Sequence, residues 1–144
     1  LTALRFFLVF LIMGTLNGIS QNLAEYRWKN RIVLLFDTSI KADPLRTHLE
    51  KFVQLDSEME ERDLLLLMVT EAGVFLQDGQ KHGLQPEELY KQTGVGKNFQ
   101  GVVLIGKDGG VKSKTNYPVE PQTIFSLVDG MPMRKAEMRT SKID

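Results

Sequence analysis

Four side chains offer the chemistry of recognition rather than of bond making: Lys107, Asp108, Lys112 and Arg134. A guanidinium is a planar fork that clamps a carboxylate through paired hydrogen bonds, and an ammonium is a compact point charge. Lys107-Asp108-Gly109-Gly110 has the composition of a tight hairpin turn, since Asp-Gly and Gly-Gly supply the positive φ angles such turns need. It therefore brings two lysines to one hairpin tip. Arg134 follows Met131-Pro132-Met133, a proline-locked turn whose folding requires no arginine. Its first expected partner is internal, Asp129 or Glu137; its second is an acidic group on another molecule. These four residues are the candidate interaction site, suited to an acidic protein surface or a glycan. A binding module predicts a solvent-exposed patch around Lys107 and Arg134, with no concave site containing perturbed titratable groups.

Reactive constellations are scarce. Among 144 residues there is no cysteine, which excludes disulfide frameworks, thiolate zinc sites, dithiol redox centres, cysteine nucleophiles and a lipid-bearing cysteine anchor. Two histidines without thiols make a poor closed zinc site, and His48 and His82 are expected at the surface. Asp56, Glu58, Glu60, Glu61 and Asp63 lack the ligand alternation and glycine of a calcium loop and read as a solvated helix end. No metal and no cofactor is expected. Ser39 lacks a glycine-flanked elbow and suits a turn or cap. Gly94-Val95-Gly96-Lys97-Asn98 lacks the first glycine and the final hydroxyl of a phosphate loop, so it reads as a helix stop. Tyr26 and Trp28, placed before a buried strand, are expected to close one end of a core. Met131 and Met133 suit either packing on the sheet or an adaptable binding surface. An enzymatic alternative places an unrecognised site at residues 37–43, with a deep pocket where Asp37, Thr38 or Ser39 meets His48 or His82. A third reading is a structural envelope protein, which would show a large apolar face.

At the start of the chain, Arg5 precedes an unbroken apolar run over residues 6–13, followed by Gly14, Asn17 and Gly18-Ile19-Ser20. A positive start, a short apolar centre and small residues before a cut match a secretory signal peptide. Eight apolar residues fall short of the roughly 20 needed to span a bilayer as a helix. We therefore expect cleavage after Ser20, one domain over residues 21–144, no stable membrane anchor, and a secreted or periplasmic product; an uncleaved anchor is the rival. The formal net charge is +0. Residues 32–90 are acidic and residues 91–144 basic, but no dense basic stripe with stacking aromatics suggests nucleic acid.

The remaining pattern alternates. Arg31-Ile32-Val33-Leu34-Leu35-Phe36-Asp37 reads as a buried strand. Asp43-Pro44 offers an N-cap and a first-turn proline for a helix whose buried face takes Leu45, Leu49, Phe52, Val53 and Met59. A second strand covers residues 64–69, and residues 70–83 read as an irregular connection. Pro86-Glu87-Glu88 opens a short helix, residues 101–105 and 111–115 form a hairpin, and Pro121 opens a last helix carrying Ile124, Phe125, Leu127 and Val128, closed by Gly130. The order β-α-β-α-β-β-α predicts an α/β fold, a thioredoxin-like three-layer sandwich with a mixed four-stranded sheet.

Particular segments add a resemblance. Tyr26-x-Trp28-Lys29-x-Arg31, Glu61-Arg62-Asp63, residues 103–112 and Asp129-Gly130-Met131-Pro132-Met133-Arg134-x-x-Glu137-Met138 together resemble a family of secreted domains of unknown function. That family occurs as small exported bacterial proteins and as modules in vertebrate sushi-repeat and related extracellular-matrix proteins. The resemblance implies a thioredoxin-like fold, export, and adhesion or matrix association in the animal versions; it carries no catalytic residues. A redox enzyme of this fold keeps its dithiol where the first strand meets the first helix. Here that stretch is Phe36-Asp37-Thr38-Ser39-Ile40-Lys41-Ala42-Asp43, and Asn98-Phe99-Gln100-Gly101 stands where the facing proline would precede the third strand. Dithiol exchange is excluded for this chain, and the expected function is a non-redox binding module with a protein or glycan partner outside the cytoplasm.

Overall fold

The structure, a computed structural model, describes residues 22–143; the expected signal segment lies outside the described residues. Strand β1 (Arg31–Phe36) is buried along its whole length and sits centrally in the sheet. A short turn of 3-10 helix, Leu23–Tyr26, leads into it. Helices α1 (Asp43–Val53) and α2 (Asp56–Glu61) then cross to β2 (Leu64–Thr70). That crossover makes β1 and β2 parallel, in register from Arg31 opposite Leu64 to Phe36 opposite Val69. Strands β3 (Gly73–Phe75) and β4 (Lys81–His82) follow, then α3 (Pro86–Thr93), β5 (Gly101–Ile105) and β6 (Val111–Asn116). Helices α4 (Pro121–Asp129) and α5 (Pro132–Thr140) complete the described chain.

The sheet order is β4-β3-β2-β1-β5-β6. The thioredoxin-like α/β layout holds, but six strands replace the expected four. The extra pair comes from residues 70–83, read above as irregular. Strands of three and two residues are too short to show an alternating pattern, and tertiary pairing with Met68, Val69 and Thr70 creates them. Asp78-Gly79 makes their connection, with Gly79 at φ 86° and Leu76 N–H donating to the Gln80 carbonyl at 2.8 Å.

Alternation along β1 feeds two cores. Val33 and Leu35 join Leu45, Leu49 and Phe52 of α1 and Ile124, Phe125 and Val128 of α4. Ile32, Leu34 and Phe36 point the other way, to Leu89 and Tyr90 of α3. Four local expectations need correction. Asp43 is the first residue of α1 rather than its cap; Ala42 occupies the cap with no side-chain bond, and Pro44 sets the start. Met59 belongs to the separate α2, a short helix that carries Asp56, Glu58, Glu60 and Glu61, with Asp63 just beyond its end. Val53 is exposed rather than buried, because it falls just off the arc of its helix that faces the sheet, and Leu127 of α4 is exposed as well. After Met131-Pro132 the chain does not merely turn: proline at the first helical position starts α5.

Candidate functional site

Asp37 directly follows β1, at the start of the loop that leads into α1. It is 2% exposed. One carboxylate oxygen, Oδ1, accepts the Thr38 N–H at 2.7 Å, while Oδ2 has no hydrogen-bond partner. Ser39 takes the local role expected of it: its Oγ accepts the Lys41 N–H at 3.1 Å. Across from this loop stands Tyr117, whose hydroxyl is also buried and unpartnered. Burial, followed by the nearby Asp37 charge, pushes the Tyr117 phenol well above its ordinary range.

Tyr117 stacks on His48 with ring centroids 4.3 Å apart. His48 is not at the surface as expected but 3% exposed. Its Nε2 accepts the Val119 N–H at 2.9 Å and its Nδ1 meets the Pro44 carbonyl at 2.6 Å, so the ring ties α1 to the segment before α4 as the Nδ1–H tautomer. Both nitrogens are thereby spent on backbone groups, which leaves this imidazole without a free nitrogen for proton transfer. His82 is elsewhere, bonded to the Tyr26 hydroxyl at 2.9 Å. No cluster of three metal-ligating side chains occurs among the described residues.

The opposite end of β1 is built from charge. Arg31, 1% exposed, donates from both terminal nitrogens to Glu137, each at 3.2 Å, and from Nη1 to the Arg62 carbonyl at 3.0 Å. Lys107 donates to Glu137 and to Asp63, each at 2.7 Å. Arg134 donates to Asp129 at 3.2 Å, to Glu61 Oε1 at 2.7 Å and to the Glu61 carbonyl at 2.9 Å. Arg62 completes the set with two bonds to Asp129, while its guanidinium carbon lies 4.8 Å above the Phe125 ring. Burial raises the Glu137 carboxyl, but the bonds from Arg31 and Lys107 outweigh it and hold that group below the usual range. Asp129 is lowered chiefly by Arg62, with Arg134 adding to it. Burial lowers Lys107, yet Asp63 and Glu137 leave it raised overall.

The four candidate interaction residues thus divide. Arg134 and Lys107 are 4% and 9% exposed, not the open patch a binding module predicted, because α5 folds Arg134 and Glu137 back onto the sheet end. The internal carboxylate expected for Arg134 is there in Asp129. Lys112 and Asp108 remain at the surface, paired at 2.8 Å across the hairpin turn, and the Lys112 bond lowers the Asp108 carboxyl. Gly109 holds φ 82° in that turn, and a Cβ there would lie 2.6 Å from Arg27 Nε. Between the hairpin and the α4–α5 junction lies a cavity of about 620 Å³, bordered by Lys107, Asp108 and Lys112 on one side and by Leu127, Met131 and Met133 on the other; a concave site beside shifted groups such as Lys107 and Asp108 is the reverse of what the binding-module reading expected.

Residues 22–137 match the family model described as Domain of unknown function (DUF4174). The chain belongs to that family. This DUF4174 domain has no match among curated proteins. Its fold has solved relatives: the reduced 2-Cys peroxiredoxin of Plasmodium vivax superposes with a TM-score of 0.60 at 15% identity, over 81% of this chain and 85% of that one. The mitochondrial 2-Cys peroxiredoxin of Plasmodium falciparum gives 0.53 at 14%, over 76% and 79%. A thioredoxin-family thiol:disulfide interchange protein from Chlorobium tepidum gives 0.52 at 14%, over 74% and 82%. Such identities establish a shared fold and no more.

Several residues of both ends escaped sequence reasoning. Arg31 looked like the edge of an apolar run, and only the return of α5 explains a buried arginine there. Tyr117 carried no signal, since its neighbours in space are far away in sequence. Trp28, expected to close a core, is 65% exposed at φ 65°, and Tyr26 does the packing instead.

Proposed function

We propose that this DUF4174 domain is an exported, non-redox interaction module that holds a protein partner outside the cytoplasm, with no cofactor. The observation that carries this reading is the cavity between the hairpin and the α4–α5 junction. It sets the exposed side chains of Leu127 and Met133 beside Lys112, on a floor immobilised by the Arg31–Glu137–Lys107 bonds. An apolar anchor next to a carboxylate is the chemistry such a surface accepts, and a rigid floor lowers the ordering cost of binding. The mainly apolar border favours a protein segment over a glycan. Adhesion of the kind the matrix-protein resemblance implies would use a surface of this type.

The test is a peptide display of acidic segments carrying one large apolar residue, probed with the purified domain. Binding is expected for the parent and at least about tenfold weaker for Met133→Asp and Lys112→Glu, with unfolding curves superimposable on the parent's. Equal binding by all three proteins would remove the groove from consideration. A second reading, an enzyme at the β1–α1 loop, is favoured by the unpartnered Asp37 Oδ2 and Tyr117 hydroxyl. It expects turnover that Asp37→Asn abolishes while the fold survives.

A further inference from the structure

Strand β2 has two neighbours over only part of its length. Residues Met68, Val69 and Thr70 pair with β3, whereas all of residues 64–69 pair with β1. Past Phe75 the partner strand turns away, Leu76 N–H bonding back to Gln80. Residues 64–67 therefore keep a sheet neighbour on one side and none on the other.

The direction of their backbone groups follows from the register. The Asp63 and Val69 carbonyls accept N–H bonds from Arg31 and Asp37 of the β1 segment, at 2.9 and 3.2 Å. The odd-numbered residues of β2 consequently face β1, and by the pleat the N–H and C=O of Leu64 and Leu66 face the open side. Among the described residues none of these four groups has a hydrogen-bond partner. Leu64 and Leu66 are 6% and 4% exposed, so the unpaired edge lies below the surface. Unpaired backbone groups in that position are costly and look for a partner.

A cavity of about 890 Å³ runs along this edge, with residues 64–67 as one wall. Its border carries Asp56 and Glu60 of α2, Asp63, and Asp78 of the β3–β4 turn; His82 is the sole basic side chain lining it. The other sheet edge is guarded differently, by exposed Lys112 and Lys114 on β6. A slot of unpaired strand walled by carboxylates has a specific complement. We propose that the β2 edge binds an extended basic peptide, which adds a short strand alongside residues 64–67 with its Lys or Arg side chains toward Asp56, Glu60 and Asp78. A second copy pairing through the same edge is disfavoured by charge, since it would bring the acidic borders together. The depth of the edge likewise favours a bare segment over the edge of a folded sheet. This surface lies apart from the hairpin groove and does not depend on it.

Fluorescence anisotropy with labelled hexapeptides tests it. An alternating Lys-Val peptide is expected to bind, and the matching Glu-Val peptide at least about tenfold more weakly. N-methylation of alternate backbone nitrogens keeps charge and side chains but removes strand hydrogen bonds; it is expected to lower affinity by a similar factor in one of its two registers. Glu60→Lys with Asp78→Lys, both at exposed positions, is expected to weaken binding without changing the fold, while Met133→Asp has no effect. Equal affinity for both N-methylated registers and the parent peptide would show attraction by charge alone and overturn the proposal. So would indifference to the double charge reversal, or sedimentation showing that the edge is closed by a second copy of this chain.

Discussion

The two ends of β1 treat buried charge in opposite ways. At the Arg31 end, three buried cations are answered by carboxylates from four different segments, and Glu137 alone serves both Arg31 and Lys107. At the Asp37 end, a carboxylate as deeply buried has one oxygen bonded to the next amide and the other left unpaired. Buried ion pairs repay their desolvation only when geometry and hydrogen bonding are complete; at the first end each of these cations has its carboxylate, though the buried Arg31 Nε has no hydrogen-bond partner. Its charges belong to the architecture: they fasten α5 across the base of the sheet. The second end keeps hydrogen-bonding capacity unspent, since Asp37 Oδ2 and the Tyr117 hydroxyl are both buried without a partner. A cation beside a cavity, such as Lys107, is therefore no sign of recognition when its charge is answered inside the protein, whereas a buried carboxylate oxygen without a partner is a sign worth testing.

The strongest way to break this contrast is Glu137→Ala. It strands the buried Arg31 and removes one partner of Lys107, so a loss of about 3–5 kcal/mol is expected in urea unfolding. Arg134→Ala should likewise lower stability, the reverse of what an exposed recognition residue would do. A change below about 0.5 kcal/mol for Glu137→Ala would place the network at the level of exposed surface pairs.

Acid sharpens the contrast by a smaller amount. Glu137 and Asp129 are held below their ordinary carboxyl range in the fold. Each group then contributes stability that is present above its unfolded value, near pH 4, and is lost as the pH falls through its lower folded value. Lys107, raised in the fold, keeps its contribution at neutral pH and loses it only as the pH climbs past about 10.4. Unfolding midpoints measured from pH 6 to pH 2 should fall, and Glu137→Gln should flatten the fall. A parallel slope for that variant would exclude Glu137 as a contributor.

The smallest expected effect lies at the other end. Asp37→Asn keeps an oxygen for the Thr38 amide and removes a buried charge that has no opposite partner, so stability should rise by about 1 kcal/mol. A fall of that size would mean that the carboxylate is answered by a group outside the protein's own hydrogen bonds.

Local patterns carried much of the fold. The apolar runs over residues 32–36, 64–69 and 101–105 are strands, and Pro44, Pro86 and Pro121 each stand at a helix start. The Asp108-Gly109 turn is where its residue types put it. These features are legible because they depend on neighbours within a few residues. The candidate site was legible only in part: Lys112 and Asp108 stayed at the surface, but Arg134 and Lys107 went inside.

By itself, then, the chain's sequence determined its periodicities, its turns, the family to which it belongs and the chemistry it lacks, since a chain without cysteine cannot exchange disulfides in any conformation. Tertiary structure decided whether each charge meets water or another charge, because Arg31 and Glu137 lie 106 positions apart and are brought together only when α5 closes on the sheet. It also decided that β2 is paired along one side and half bare along the other. That depends on where a short neighbouring strand stops, and the leucines of residues 64–67 do not encode it.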